Sequence, residues 1–256
     1  MLVSVIVPSF NSVSFIHDTL SSLIKQTYQN IEIIVIDGGS TDGTIDIIKQ
    51  FNDNIAYWIS EKDSGQSNAI NKGFKICKGE IAGWLCSDDI LYPDSIEKVV
   101  NAFNKNEEIG IVYGDVDKID EKGEIFRRIK FSELTTDYLL NIRQAVPQQG
   151  SFYRTNLLQK VGYLDESLHQ VMDFDLFIKL LNCSKGVYLN EPLGQFRMHK
   201  TNKSTVQGDI RSALEGYKVR KKYGGKFFSR VTRKIIRRIL RHYYHKLLKL
   251  LSSKSL

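Results

Sequence analysis

Cysteine is nearly absent, and its three copies, Cys77, Cys86 and Cys183, stand far apart with no CxxC spacing. That pattern excludes a thiolate zinc site and a disulfide framework, and makes a reducing compartment the expectation. Long apolar runs are missing as well. No stretch approaches the roughly 18 uninterrupted apolar residues of a membrane-spanning helix, and the short apolar run at residues 2–8 lacks the basic segment that opens a secretory leader. The chain therefore reads as cytoplasmic and non-spanning. Internal repeats and low-complexity tracts are lacking too, which excludes a repeat array.

Acid is the third absence. After Glu215 there are 14 Lys and Arg residues and no Asp or Glu. The other 22 basic residues face all 29 acidic ones, so the first 217 positions carry −7 while the whole chain carries +7. A nucleic-acid binder spreads its cations over a folded face, whereas here the body is acidic and only the tail is basic. Nucleic acid is excluded as a partner on this ground, and the tail points to an anionic surface.

What remains is an ordinary globular composition, 42% hydrophobic and 25% charged, long enough for one sizeable core. Through the first 115 residues, short β-branched runs alternate with helical patterns: strands near 3–7, 31–36, 55–59 and 81–85, helices near 14–26, 44–51 and 67–77. This rhythm predicts an α/β fold with a mainly parallel central sheet and helices on both faces. Beyond residue 109 the pattern loosens into strands near 111–113 and 125–129, a helix near 137–142, another near 173–182, and strands over 186–198. Residues 1–115 then form one half of a single domain, 116–207 a second half sharing its core, and 208–256 a basic helical extension.

Open α/β sheets bind ligands beyond the carboxyl ends of their strands, and polar residues collect there. Asp37 ends an apolar run and is followed by Gly38-Gly39-Ser40, where a carboxylate can accept from a ligand N–H and glycines admit a close approach. The alternative is a turn into a helix capped by Thr41 or Asp42. Asp88-Asp89 follows the run at 81–85; adjacent acids suit a hard divalent cation, Mg²⁺ or Mn²⁺, together with nucleotide phosphates. The alternative is a solvated turn ahead of a helix started by Pro93-Asp94-Ser95. Asp173 stands in the first turn of a helix with an apolar side, as an N-cap or as a base facing the crevice. His199 offers a neutral imidazole as a ligand and Arg197 a fork of donors to a diphosphate, although a histidine beside Lys200 is more often a surface residue. Gln148 and Gln149 carry amides that suit hydroxyl-rich ligands, or merely form a polar loop.

Four segments in order decide between these readings: Val5-Ile6-Val7-Pro8-Ser9-Phe10-Asn11, residues 32–43, residues 63–73, and Ser87-Asp88-Asp89 followed by Tyr92-Pro93. From Val3 to about Ser204 the chain resembles the family 2 glycosyltransferases of GT-A fold, among them bacterial surface-polysaccharide and O-antigen enzymes. The resemblance implies that Pro8, Ser9 and Asn11 line the nucleoside pocket, that Asp37 reads the uracil, and that Asp63 closes the base side, with Lys72 also among the donor-binding residues. It implies Asp88 at the ribose or metal, Asp89 as ligand of the metal bridging the diphosphate, and His199, ahead of Ser204, reaching the metal or diphosphate. It implies Asp173 as the catalytic base, with Asp175 the second choice, and the Gln148-Gln149 segment as the floor of the acceptor site. Many relatives carry Asp where this chain has Cys86.

The expected activity is inverting transfer of a sugar from a UDP-sugar to a glycan hydroxyl, with Mn²⁺ or Mg²⁺ as cofactor. Residues 227–251 place Phe227, Val231, Ile235, Ile239, Tyr243, Leu247 and Leu251 at four-residue steps, with arginines and lysines on another side. A basic amphipathic helix lies on an anionic bilayer. The competing expectation is that its stripe packs on the catalytic domain or on a second copy in a homodimer. The membrane reading makes the acceptor lipid-linked and the protein peripheral on the inner face of the cell membrane, in assembly of a surface polysaccharide. Two rivals are a nucleotidyltransferase, which would carry a glycine-rich basic loop where Pro8-Ser9-Phe10-Asn11 stands, and an inactive sugar-nucleotide-binding scaffold, which would lack Asp89 and Asp173.

Overall fold

The computed structural model describes residues 1–202 and 208–252. Strands β1 (Val3–Ser9), β2 (Ile31–Asp37), β3 (Tyr57–Ser60) and β4 (Ile81–Trp84) alternate with helices α1 (Ile16–Ile24), α2 (Thr44–Gln50) and α3 (Gln66–Ile76). They form a parallel half-sheet in the order β3-β2-β1-β4. The reason lies in the side-chain period of a strand. Along β1, Val3, Val5 and Val7 face α1, α2 and α4 (Ser95–Phe103), while Ile6 faces α3 and the second half of the chain. Because both faces are covered, β2 reads as a continuous apolar run from Ile33 to Ile36 and not as an alternating one.

The second half adds β5 (Ile90–Leu91), β6 (Ile109–Ile119), β7 (Ile125–Ile129), β8 (Ser151–Arg154) and β9 (Lys185–Arg197), with helices α5 (Thr136–Asn141), α6 (Thr155–Val161) and α7 (Met172–Leu181). Here the pairing turns antiparallel: β8 runs against β4 and β6, β5 against β9, and β7 against β6, while β6 and β9 remain parallel. The parallel expectation thus describes the first half, and the whole sheet is mixed. The carboxyl ends of β1, β2 and β4 still open on one side, where the turn Gln148–Gly150 leading into β8 joins them.

The basic extension begins as part of the body. Helix α8 (Gly208–Lys222) places Lys222 and Tyr223 on the fully buried Asp175 of α7, at 3.3 and 3.0 Å. Arg220 is 1% exposed; it donates to the carbonyl of Leu140, to Thr232 Oγ1 and to Ser229 Oγ. Helix α9 (Arg230–Ser252) then lays Val231 and Ile235 against Ala213 of α8. So the first turns of the amphipathic stripe pack on protein, while Phe228, Leu240, Tyr243 and Tyr244 stay exposed. Leu247 and Leu251 carry no described side-chain environment, and Ser204 lies outside the described residues.

Gly73 shows how tightly the first half is closed. A Cβ there would lie 2.6 Å from both Cγ atoms of Ile6, whose strand is held on each side by β2 and β4. Overpacking of this kind costs about 1–3 kcal/mol, against about 1 kcal/mol of helix propensity gained. Gly73→Ala is expected to lower stability by up to about 2 kcal/mol net, read from the urea midpoint at unchanged slope.

Candidate active site

At the donor end, Pro8 and Ser9 are buried at the tip of β1, and the Ser9 hydroxyl has no hydrogen-bond partner. Asn11 adopts a left-handed φ of 47° that asparagine tolerates. Its N–H donates to Ser40 Oγ at 2.7 Å, and its Oδ1 accepts from the Thr41 N–H at 3.0 Å, so the loops after β1 and β2 are laced together. Asp37 is fully buried; it accepts from the N–H groups of Gly39 and Ser40 and from the hydroxyls of Ser40 and Ser60. In this arrangement the carboxylate shapes the loop and faces inward. Asp63 accepts from the Gly65 N–H at 2.8 Å and presses on Gly38, where a Cβ would come within 2.7 Å of Asp63 Oδ2. Lys72 is turned to Glu61, at 2.6 Å.

The turn after β4 carries the acids. Asp88 Oδ2 meets His199 Nε2 at 2.9 Å and accepts from Asn202 Nδ2 at 3.1 Å. Asp89 is completely buried, accepting from the Arg197 N–H at 3.0 Å and from Gln149 Nε2 at 3.1 Å. Burial, and after it the charge of Asp88, pushes the Asp89 carboxyl well above the usual carboxylate range. Ligand atoms of Cys86, Asp88 and Asp89 lie within 4.8 Å of one another, so Cys86 fills its place with a soft donor beside two hard ones. Arg197 does not extend a fork toward a diphosphate here. Its guanidinium is buried, donating to the carbonyls of Asp88 and Glu121 and to Asp18 Oδ2, with the ring of Phe15 5.0 Å away. The residue instead fixes the backbone of the acidic turn.

These acids line one side of a cleft of about 170 Å³ that Asp173, Gln148 and Gln149 line as well. Asp173 is the second residue of α7 and partly exposed; its Oδ1 accepts from the N–H of Phe174 at 2.8 Å. Burial, followed by the Asp173 charge, pushes the Tyr153 phenol well above its ordinary value. Asp175, two positions on, points to the other side of the helix, where it meets Lys179 at 2.8 Å and the α8 residues already described. The geometry therefore sets Asp173 in the cleft and Asp175 in the scaffold. Gln148 donates to the Trp84 carbonyl at 2.9 Å, which leaves Gln149 as the amide touching the acids.

The polypeptide fold is that of the GT-A nucleotide-sugar transferases. S. aureus TarS 1–349 in complex with UDP-GlcNAc shares it with a TM-score of 0.70 at 20% identity, over 93% of this chain and 72% of that one. The mannosyltransferase PcManGT from Pyrobaculum calidifontis, in complex with GDP-Man and Mn²⁺, gives 0.65 at 17% identity, over 93% and 68%. The profile of glycosyl transferase family 2 matches residues 4–168, and the chain belongs to that family. An uncharacterized glycosyltransferase of Rickettsia typhi is 35% identical over 206 residues, covering 77% of this chain and 64% of the relative. The chain spans 34% to 64% of the length of the first curated relatives that it matches.

Gln66, His169, Gln170 and Asn202 also line the cleft and were not singled out in the sequence. Gln66 was legible in principle, as the first residue of a helix opening at a strand end. Glu215 gave a fainter signal as the last acid before the acid-free tail. It is 8% exposed; its Oε2 accepts from the N–H groups of His169 and Gln170 at 3.0 and 2.7 Å, and Arg211 holds its Oε1 at 2.9 Å. The C-terminal extension thus grips the segment that leads into Asp173. Displacing a reacting group by about 1 Å costs on the order of 10²-fold. Glu215→Ala is expected to reduce turnover by about 10- to 100-fold with nucleotide affinity unchanged, and Glu215→Gln, which keeps the acceptor oxygen, to recover most of it; equal loss in both variants would count against positioning.

Proposed function

We propose that the chain is an inverting glycosyltransferase that moves a sugar from a UDP-sugar to a hydroxyl of a glycan acceptor. The observation that carries this reading is the meeting, in one cleft, of the candidate base Asp173 with Asp88 and Asp89, His199 standing against Asp88 at 2.9 Å. The family membership and the UDP-GlcNAc in the TarS structure support it. Asp173 takes the proton of the acceptor hydroxyl, the freed oxygen bonds to the anomeric carbon from the face opposite the diphosphate, and the bond from that carbon to the phosphate oxygen breaks, releasing UDP. One displacement inverts the configuration.

The donor set fits a divalent cation, Mn²⁺ or Mg²⁺: the carboxylates of Asp88 and Asp89 lie together beside Cys86, and the His199 imidazole meets Asp88. Asp88, Asp89 and His199 would hold it, with Cys86 alongside, and the ion, when bound, neutralises charge on the departing diphosphate. Ser9, Asn11 and Asp63 border the donor end, while Asp37 and Arg197 brace the loops and the acidic turn. Gln149 and Gln148 lie on the acceptor side.

The acceptor in this reading is lipid-linked, and the enzyme works on the inner membrane face in surface-polysaccharide assembly. What supports it is the acid-free tail with its exposed Phe227, Phe228, Leu240, Tyr243 and Tyr244. No described helix is long and apolar enough to cross a membrane, so attachment would be peripheral. The docked Val231–Ile235 face is the part of the tail already spent on the fold.

Thermal stability should rise with UDP and Mn²⁺ and the rise should vanish with chelator, since a ligand bound only by the folded state stabilises it. Asp173→Asn should keep that shift while turnover falls by about 10²- to 10⁴-fold; turnover at the wild-type rate would remove the base assignment. For the tail, the right truncation removes residues 240–256, because Ser229 and Thr232 hold Arg220 and must stay. That variant should stay folded yet lose most of its binding to anionic vesicles, and unchanged sedimentation with them would refute membrane attachment.

A further inference from the structure

The outer strands of the second half carry a charge pattern that the reaction described so far does not use. Strands β7, β6 and β9 set Arg127 opposite Lys118 and Lys118 beside Phe196, so these three side chains stand in one row on one face of the sheet. The neighbouring row, Arg128, Asp117 and Gln195, stands on the other face. There the charge is neutralised: Arg128 donates to both carboxylate oxygens of the buried Asp117 at 2.8 and 2.9 Å, and the Tyr92 hydroxyl donates to the same carboxylate at 2.6 Å. The first row has no such partner. Lys118 Nζ lies 5.7 Å from the centre of the Phe196 ring, Arg127 is exposed, and neither cation forms an ion pair with the described residues. Nor do the acids of the turn between β6 and β7 supply one: Asp120 Oδ1 accepts from the N–H groups of Lys122 and Glu124, and Glu121 and Glu124 are exposed without an ion pair among the described residues.

Like charges directly opposite each other weaken a sheet, and a bound anion would offset that cost. The face in question is the face of the cleft. Phe196 lines the cleft, and Gly194, two residues before it on the same face, is covered by Gln149, whose carbonyl oxygen would lie 2.5 Å from a Cβ placed there. Gln149 in turn donates to Asp89 at 3.1 Å. A continuous floor therefore runs outward from the acids and Gln149, past the Phe196 ring, to Lys118 and Arg127. With strands spaced about 4.8 Å apart, Arg127 stands roughly 10 Å beyond Phe196, farther than a single sugar ring reaches. Arg127 offers a planar fork and Lys118 a point charge, and both suit a carboxylate or a phosphate.

We propose that the acceptor is an anionic glycan, whose carboxylate- or phosphate-bearing residue rests on Lys118 and Arg127 while a neighbouring residue presents its hydroxyl to Asp173. The inference rests on the glycosyltransferase reading above and narrows its acceptor from any glycan hydroxyl to an acidic chain.

The test uses the full chain with UDP and Mn²⁺ and measures, by calorimetric titration, the affinity for neutral maltotriose, for maltotriose carrying one 6-phosphate, and for trigalacturonate. At least one of the two anionic glycans is expected to bind about tenfold more tightly than maltotriose, and which one does so tells phosphate from carboxylate. Lys118→Gln with Arg127→Gln should abolish that preference while the affinities for UDP and maltotriose stay as they were, and Lys118→Arg with Arg127→Lys, which keeps both charges, should retain it. Arg233→Gln with Arg237→Gln removes two exposed cations from the tail instead. An equal or larger loss in that pair would place the glycan on the tail and overturn the site. A chain that binds UDP yet holds neither anionic glycan more tightly than maltotriose would overturn the acidic acceptor and leave the glycosyltransferase reading standing. A folded chain that binds no UDP would remove that reading, and this inference with it.

Discussion

A buried guanidinium holds the active site together. Taking Arg197 out of water is costly unless its donors are met, and here they are met by the Asp88 carbonyl, the Glu121 carbonyl and the Asp18 carboxylate. These partners lie on the turn after β4, the turn after β6 and helix α1. The same residue's N–H reaches Asp89. The end of β9 is thereby bound to the acidic turn, and His199, two residues on, falls against Asp88 as a consequence of chain geometry. Every proposed metal ligand from the second half of the chain depends on that anchor.

The parallel half of the fold was readable because each of its strands is buried on both faces and so appears as a dense β-branched run with a polar stop. The segments at 8–11, 63–73 and 87–89 were legible for the same reason, since the polar residues mark where the apolar run ends. What sequence alone could not deliver was direction. Asp37 and Arg197 have the right chemistry for ligands, yet hydrogen-bond partners within the protein take them inward, and partners brought by tertiary folding leave no local pattern. Asp173 and Asp175 differ by two residues, which on a helix places them on different sides. Only the position of α8 shows which side is the cleft.

Charge alone does not separate the extension from the body. Arg220 and Lys222 belong to the packed body, where Asp175, Leu140, Ser229 and Thr232 receive them. Lys222, itself exposed, reaches the body's Asp175 and Asp165, while the buried Arg220 is met by neutral oxygens. The exposed part of α9 retains the amphipathic character expected of it, with Arg237 and Arg241 in solvent and Leu240, Tyr243 and Tyr244 beside them.

Glu215 ties the order of synthesis to the geometry of the cleft. Nearly all the groups that line the cleft are made before residue 203, so a nascent chain at that length already carries its whole chemical inventory. The amides of His169 and Gln170 still lack their carboxylate, and Asp175 still lacks Lys222 and Tyr223. Helix α8 follows all of these groups in the chain, so the lock on the segment leading into Asp173 is set only after the cleft's own residues have been made.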